Sequence, residues 1–277
     1  MGWGDELIVT GQVRELAART GKRVRIVYER AGRWHEAFEH NPRIAQRGEK
    51  GDFAELVPRD DWRRPYCAHK GADRWTWRRY RPPRGELWFT PQEQAFGALH
   101  AGRVVLEPHI KAGASPNKQW GWIRWNKLAW LIRERLGITP TQIGLGTSEL
   151  LDGAEHIGTS SMRLAAALIS RARAIVVPEG GLHHVAAAVG TPAVVIFGGY
   201  IAPEVTGYPE QRSFFRATQH YPLGCGYRIP CEHCKVSMAA IAPEDVFKAL
   251  EEALANGKRD RAQDGHQGMA GAVAAGG

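Results

Sequence analysis

No stretch of the 277 residues approaches the roughly 18 consecutive apolar side chains that a membrane-spanning helix needs. The N-terminus carries Asp5 and Glu6 in place of a basic region, so no secretory signal is visible. Cysteine is scarce: there are four, three of them clustered, which fits a reduced, cytoplasmic protein better than a disulfide scaffold. Asp-x-Asp does not occur anywhere, so no carboxylate pair stands at that spacing to hold a metal against a diphosphate. Global disorder is excluded too, because 43% of the residues are hydrophobic and ten are Trp.

What is present has room for two domains of ordinary size. The net charge of +8 predicts attraction to anions in general, whether nucleotides, nucleic acid or phosphorylated glycolipid, without choosing among them. The most informative stretch is Ile175–Gly199, IVVPEGGLHHVAAAVGTPAVVIFGG. Ile175–Val177 and Ala193–Phe197 are apolar runs without alternation, as in parallel strands covered on both faces. Between them Gly180 and Gly181 open a helix, Leu182–Val189, that ends at Gly190 with Pro192 just beyond. This is one right-handed βαβ unit. A glycine turn at a helix start presents free backbone N–H groups and the positive end of the dipole, which suits an anion, and His184 in the first turn can add a donor.

The order of residues in this unit closely resembles the donor-binding motif of the heptosyltransferase-like glycosyltransferases, family nine. That motif typically reads Asp-Ser/Thr-Gly-Pro-Met-His followed by Ala-Ala-Ala, Gly-Thr-Pro and Phe-Gly. Here Glu179, Gly180 and His183 stand where Asp, Ser or Thr, and Met are usual. Further blocks follow the family order. Gly2-Trp3-Gly4-Asp5 resembles its Gly-x-Gly-Asp opening, in which the Asp is taken as the catalytic base. Lys111–Trp120 resembles its Gly-Ala-Ser…Lys-Arg-Trp segment, whose Ser and Lys face the donor phosphates, here Ser115 and Lys118. His156–Met162 is similar to the loop and helix start beside the nucleoside, with Thr159 and Ser160. The resemblance implies an α/β chain of the GT-B type, two Rossmann-like domains facing each other across a cleft, the N-terminal one short.

A coarse reading of the elements supports this. Leu7–Thr20 is a predicted helix stopped by Gly21, and Val24–Tyr28 a short strand. Asn41-Pro42-Arg43-Ile44 resembles the family's Asn-Pro-x-Ile turn. Thr90-Pro91-Gln92-Glu93 is a helix start, with Thr as N-cap, Pro at N1 and Glu at N3. Further predictions are a strand over Val104–Ile110, a helix over Trp125–Leu136, a turn into strand over Ile138–Gly144, and helices over Met162–Ala172 and Pro243–Leu254. The expected division is 1–101 for the acceptor side, 102–255 for the nucleotide-sugar side and 256–277 for a disordered tail.

The segment 60–84 holds seven Arg, one Lys, three Trp and two Tyr, with three prolines and no apolar periodicity. Basic side chains interleaved with aromatics suit a polyanion with rings to stack on. The plainer alternative is a solvated loop whose Trp residues cap a small domain and whose Arg residues snorkel. The candidate acceptor-binding residues are Trp62, Arg63, Arg64, Arg74, Trp75, Trp77, Arg78, Arg79 and Arg81. Cys225, Cys231 and Cys234 form C-x5-C-x2-C; C-x2-C is a metal-ligand spacing that Cys67 or a His could complete, but no metal is expected to be required.

The reading is an inverting, metal-independent glycosyltransferase with a nucleoside-diphosphate sugar as donor. Asp5 takes the acceptor proton, and Ser115, Lys118, Thr159, Ser160, Glu179, Gly180, Gly181 and His184 bind the donor. The preferred acceptor is a hydroxymethylated pyrimidine in viral DNA, with lipopolysaccharide core as the alternative. A reading of another class is a non-enzymatic nucleic-acid-binding protein with a degenerate sugar-nucleotide domain; a nucleotide-sugar epimerase is a third.

Overall fold

The computed structural model describes residues 2–28, 34–58, 64–144 and 149–270. Helix α1 (Trp3–Thr20) starts four residues before the predicted Leu7, because its cap lies in the glycine turn: Gly2 is extended and its N–H donates to the Asp5 carboxylate at 3.0 Å. Gly21, left-handed at φ 66°, ends the helix. Strands β1 (Val24–Ile26) and β2 (Ala54–Leu56) pair in parallel, and Val24 also bridges Ile44, so β1 is the middle of a miniature sheet. The basic segment, predicted without regular structure, contains an antiparallel hairpin, β3 (Cys67–Lys70) and β4 (Trp75–Trp77). Helix α2 (Pro91–Leu99) begins with the predicted capping box of Thr90 and Glu93.

The second half is one sheet. Strands β5 (Val104–Leu106), β6 (Thr141–Gly144), β7 (Glu155–Gly158), β8 (Ala174–Pro178), β9 (Ala193–Gly198) and β10 (Arg212–Phe215) lie in the order β10-β9-β8-β5-β6-β7, all parallel. Their covering helices are α3 (Trp122–Leu136), α4 (Met162–Arg171), α5 (Gly181–Val189), the short α6 (Pro203–Thr206), α7 (Glu232–Ala239) and α8 (Pro243–Ala270). Strand side chains alternate between two buried layers. Val104, Leu106, Val176, Val194 and Ile196 join Leu128 and Ile132 of α3 and Val246 and Leu250 of α8. Val105, Ile175, Val177, Val195 and Phe197 join Leu168 and Ile169 of α4 and Val185 and Ala186 of α5. Both faces are apolar, so the strands read as continuous hydrophobic runs.

Several expectations change in detail. β5 stops at Leu106 instead of Ile110. The block read as a loop and helix start holds β7 before Ser161 caps α4. The backbone of 256–270 continues the last helix where a disordered tail was expected. The expected boundary at residue 101 falls just before β5, yet the core crosses it: Leu7, Ile8, Tyr66, Cys67 and Trp77 belong to the same apolar layer as the second-half strands. The N-terminal half keeps only a small core of its own, around Val9, Val13, Val24 and Phe38.

Polar contacts complete the junction. Arg163 of α4, only 5% exposed, meets the Glu93 carboxylate through Nε at 2.6 Å and Nη2 at 2.7 Å, and also donates to the carbonyls of Trp88 and Glu36. Burial raises the Glu93 carboxyl pKa, but the bonds from Arg163 and the Thr90 backbone outweigh that and hold it below the ordinary value. α2 lies so close to α4 that a Cβ on Gly97 would come within 2.4 Å of the Ala167 carbonyl oxygen.

Candidate active site

In chain order within the large sheet, strand order reverses between β5 and β8. In open parallel sheets, ligands bind beyond the carboxyl ends of the strands at such a switch point. The loops leaving these two strands carry Lys118 and Glu179. Their side chains form an ion pair, with Glu179 fully buried and Lys118 also above the Tyr200 ring. Burial raises the Glu179 carboxyl pKa, but Lys118, His183 and a bond from the Thr206 hydroxyl at 3.3 Å lower it further, so it is held ionised.

Two helix N-termini meet here. The α1 turn (Gly2–Asp5) lies against the α5 turn (Gly180–Gly181): a Cβ on Gly181 would sit 3.4 Å from the Trp3 Cβ and 3.9 Å from the Gly4 nitrogen. A Cβ on Gly4 would come within 2.4 Å of the His184 ring, so only glycine permits this approach. Opposed N-termini add their partial positive charges, and an anion between them satisfies both.

Asp5 stands at this junction beside a cavity of about 240 Å³ lined by Ile8, Gln12, Arg64, Tyr66 and Tyr80 among others. The Tyr66 hydroxyl donates to Oδ1, while Oδ2 accepts from the Gly2 N–H and faces Arg64 Nη2 at 3.2 Å. Burial, then the neighbouring Asp5 charge, push the Tyr66 phenol well above its usual pKa, so it stays protonated and donating. A carboxylate has about four lone-pair sites, and three donors occupy three of them, leaving one on Oδ1.

The remaining donor candidates divide by exposure. Ser115 is buried and its hydroxyl donates to the Tyr227 carbonyl at 2.8 Å while accepting from the Asn117 N–H; it caps the 3-10 turn Pro116–Lys118 that carries Lys118. Thr159 is buried and Ser160 exposed at the end of β7. His183 caps α5: its Nδ1 accepts from the Gly180 N–H at 3.0 Å and its Nε2 contacts the Thr206 carbonyl at 3.1 Å. His184 is fixed by the Tyr208 hydroxyl, 2.8 Å from Nδ1, and its other edge faces Gly4. Burial lowers the pKa of His183 and lowers that of His184 well below its usual value, so both rings are neutral near pH 7.

The acceptor candidates are scattered across different environments. Trp62 and Arg63 lie outside the described residues. Arg64 is part of the Asp5 constellation. Arg74 donates to the Cys225 carbonyl at 2.9 Å and lies over the Tyr221 and Tyr227 rings. Trp77 is buried and donates to the Tyr200 carbonyl at 3.0 Å, with Trp75 packed edge-on against it. Arg74 and Trp77 therefore fasten the hairpin to the second half, whereas Arg78, Arg79 and Arg81 remain exposed.

Sequence reasoning did not anticipate the contacts of Tyr66 with Asp5, of Tyr208 with His184 and of the His183 cap, nor the buried Glu107. Glu107, at the end of β5, is buried; its Oε1 accepts from the His109 N–H and contacts His109 Nδ1, while burial pushes its carboxyl pKa up. Long-range packing brings Tyr66 to Asp5 and Tyr208 to His184, whereas the His183 cap and the Glu107–His109 pair are made within three residues.

Comparison with known proteins agrees with this architecture. The glycosyltransferase family 9 of Veillonella parvula DSM 2008 superposes with a TM-score of 0.63 at 14% identity, covering 92% of this chain and 95% of its own. E. coli ADP-heptose lipopolysaccharide heptosyltransferase II gives a TM-score of 0.48 at 18% identity, covering 63% of this chain but only 54% of that one. The chain thus spans about half the length of the E. coli enzyme. No curated protein sequence matches it. The protein has the two-part α/β framework of the GT-B glycosyltransferases. The family model for glycosyltransferase family 9 (heptosyltransferase) matches residues 149–225 of this chain. No helix among the described residues is long and apolar enough to cross a membrane.

Proposed function

We propose that the chain transfers a sugar, of heptose type, from a nucleoside-diphosphate donor to a hydroxyl of a phosphorylated saccharide such as lipopolysaccharide core, with inversion. The observation that carries this reading is the apposition of the α1 and α5 turns, which sets the Asp5 carboxylate beside an anion-attracting helix start. The donor diphosphate lies against the α5 N–H groups. Lys118 exchanges its Glu179 contact for a phosphate oxygen. Tyr208 donates to Nδ1 of His184, leaving the Nε2–H directed at the turn. The acceptor oxygen attacks the anomeric carbon from the Asp5 side, the bond to the diphosphate oxygen breaks, and the acceptor proton passes to the free lone pair of Oδ1. Tyr66 and Arg64 hold that carboxylate in place.

The phosphorylated-saccharide acceptor is supported over the DNA base favoured on sequence grounds by the heptosyltransferase family match. Trp77 is also buried and Arg74 engaged, which removes two of the groups that were to read a nucleic acid. Arg78, Arg79 and Arg81 suit acceptor phosphates. The test is incubation with a panel of nucleoside-diphosphate sugars against phosphorylated core saccharide and hydroxymethylated DNA in parallel, read by mass spectrometry. Transfer to the saccharide is expected; transfer to DNA alone would reverse the acceptor assignment, and no transfer from any donor would leave a binding protein.

A further inference from the structure

Three cysteines and one histidine that the proposed chemistry does not use converge in one place. Cys225 Sγ lies 3.7 Å from Cys231 Sγ and 3.2 Å from Cys234 Sγ, and His233 Nδ1 lies 3.8 Å from Cys234 Sγ. All four ligand atoms fall within 4.8 Å of one another. A tetrahedral zinc with Zn–S bonds of about 2.3 Å spaces its sulfurs roughly 3.8 Å apart, so the four groups stand at ligand spacing around a common centre. Cys225 and Cys234 are buried and Cys231 is partly open, which gives an ion a way in. The His233 ring is oriented from outside: Nε2 lies 3.4 Å from the Thr218 hydroxyl and the ring packs edge-on against Tyr221, leaving Nδ1 toward the sulfurs. Cys67, a candidate fourth ligand from the sequence, is not in the cluster; its thiol contacts the His69 carbonyl instead.

We propose that Cys225, Cys231, Cys234 and His233 bind one divalent ion of zinc type as a closed structural site. Three thiolates and an imidazole fill four positions and leave none open for substrate, so the ion is a fastener. What it fastens is set by the backbone around it. The Arg74 side chain donates to the Cys225 carbonyl, the Trp75 N–H to the Gly226 carbonyl at 2.9 Å, and the Arg228 N–H to the Asp73 carbonyl at 2.8 Å, which ties down the β3–β4 hairpin. On the other side, Asn117 donates to the carbonyls of Tyr227 and Ile229 and accepts from the Cys231 N–H, and Ser115 donates to Tyr227. The same loop therefore holds both the hairpin and the turn that carries Lys118.

Elemental analysis of the full-length protein, purified without chelator, is expected to show one zinc per chain. Cys67→Ser should keep it, while Cys231→Ser and His233→Ala should weaken binding by more than the roughly 10–100-fold that loss of even an outer partner costs. Replacement by cobalt should give the visible bands of a tetrahedral thiolate site. Iron in place of zinc would correct the choice of ion and keep the site. A protein free of metal that takes up neither zinc nor cobalt, or a Cys225–Cys234 disulfide found by mass spectrometry without reductant, would overturn it. Chelation of the wild-type protein should speed hydrogen exchange across 67–77 and 115–118; unchanged exchange there would overturn the fastening role. None of these measurements depends on sugar transfer.

Discussion

Residues 102–255 bury two apolar layers on either side of six parallel strands. Residues 2–101 own a three-residue strand pair, a small core and a hairpin, and they complete themselves by leaning on the larger half. The larger half is held mainly by nonpolar burial. The smaller half adds directional contacts: Arg163 to Glu93, Arg74 to Cys225, Trp77 to Tyr200, and Arg43 and Asn41 to Glu86. Burial tolerates small changes of shape, whereas a junction of charged and hydrogen-bonded groups fails when one partner is removed. The candidate site lies across this junction, with the proposed base on one side and the anion-attracting turn on the other.

The sharpest way to separate the halves is Asp5→Asn. Transfer should fall by about 10²–10⁴ while nucleoside-diphosphate affinity stays near wild type, since general-base loss acts on the acceptor alone. Full turnover by the Asn variant, measured in the assay that identifies the acceptor, would remove Asp5 from the chemistry. Next is the lock between α2 and α4. Arg163→Met leaves the Glu93 carboxylate at the junction without its charge partner and should cost roughly 3–5 kcal/mol, read as a lowered midpoint in denaturant. A loss under 1 kcal/mol would mean that the junction is held by apolar contact after all. Lys118→Ala should weaken nucleoside-diphosphate binding by roughly 1.5–3 kcal/mol with little change for the bare nucleoside, as expected for a charge-assisted contact. Equal losses by calorimetry would assign Lys118 to holding Glu179 instead.

The smallest expected effect is in acid, where the two regions should part. His183 and His184 have lowered folded pKa values, so the unfolded chain takes up protons first as pH drops below about 6.5. Their contribution is complete above that pH and is lost below it. Glu93 also has a lowered folded pKa, but as an acid its contribution is complete above the ordinary carboxylate range and is lost only as pH falls through the folded value. Thermal midpoints against pH should therefore decline in two phases, and His184→Gln should diminish the upper one only. A single phase unaffected by that substitution would show that the histidines carry no pH-dependent stability.

The sequence by itself determined what short-range chemistry controls. The unit from Ala174 to Gly198 appears nearly as written, because unbroken apolar runs, a glycine start and a Gly190 cap each act within a few residues. Thr90 and Glu93 form the capping box their spacing predicts, whereas α1 begins at Trp3, four residues before the predicted Leu7. Other features came only with the tertiary structure. Strands β7 and β10 are four residues long and gain their identity by pairing with β6 and β9. Arg74 and Trp77 look in sequence like a polyanion reader, and the register of the hairpin makes them fasteners. Tyr66 reaches Asp5 across 61 positions, and Lys118 reaches Glu179 across the strand-order reversal. A side chain's periodicity and caps are set by its neighbours in the chain. Its partner at a site is set by which loops a sheet brings to one edge, and that is decided only when the strands have found their order.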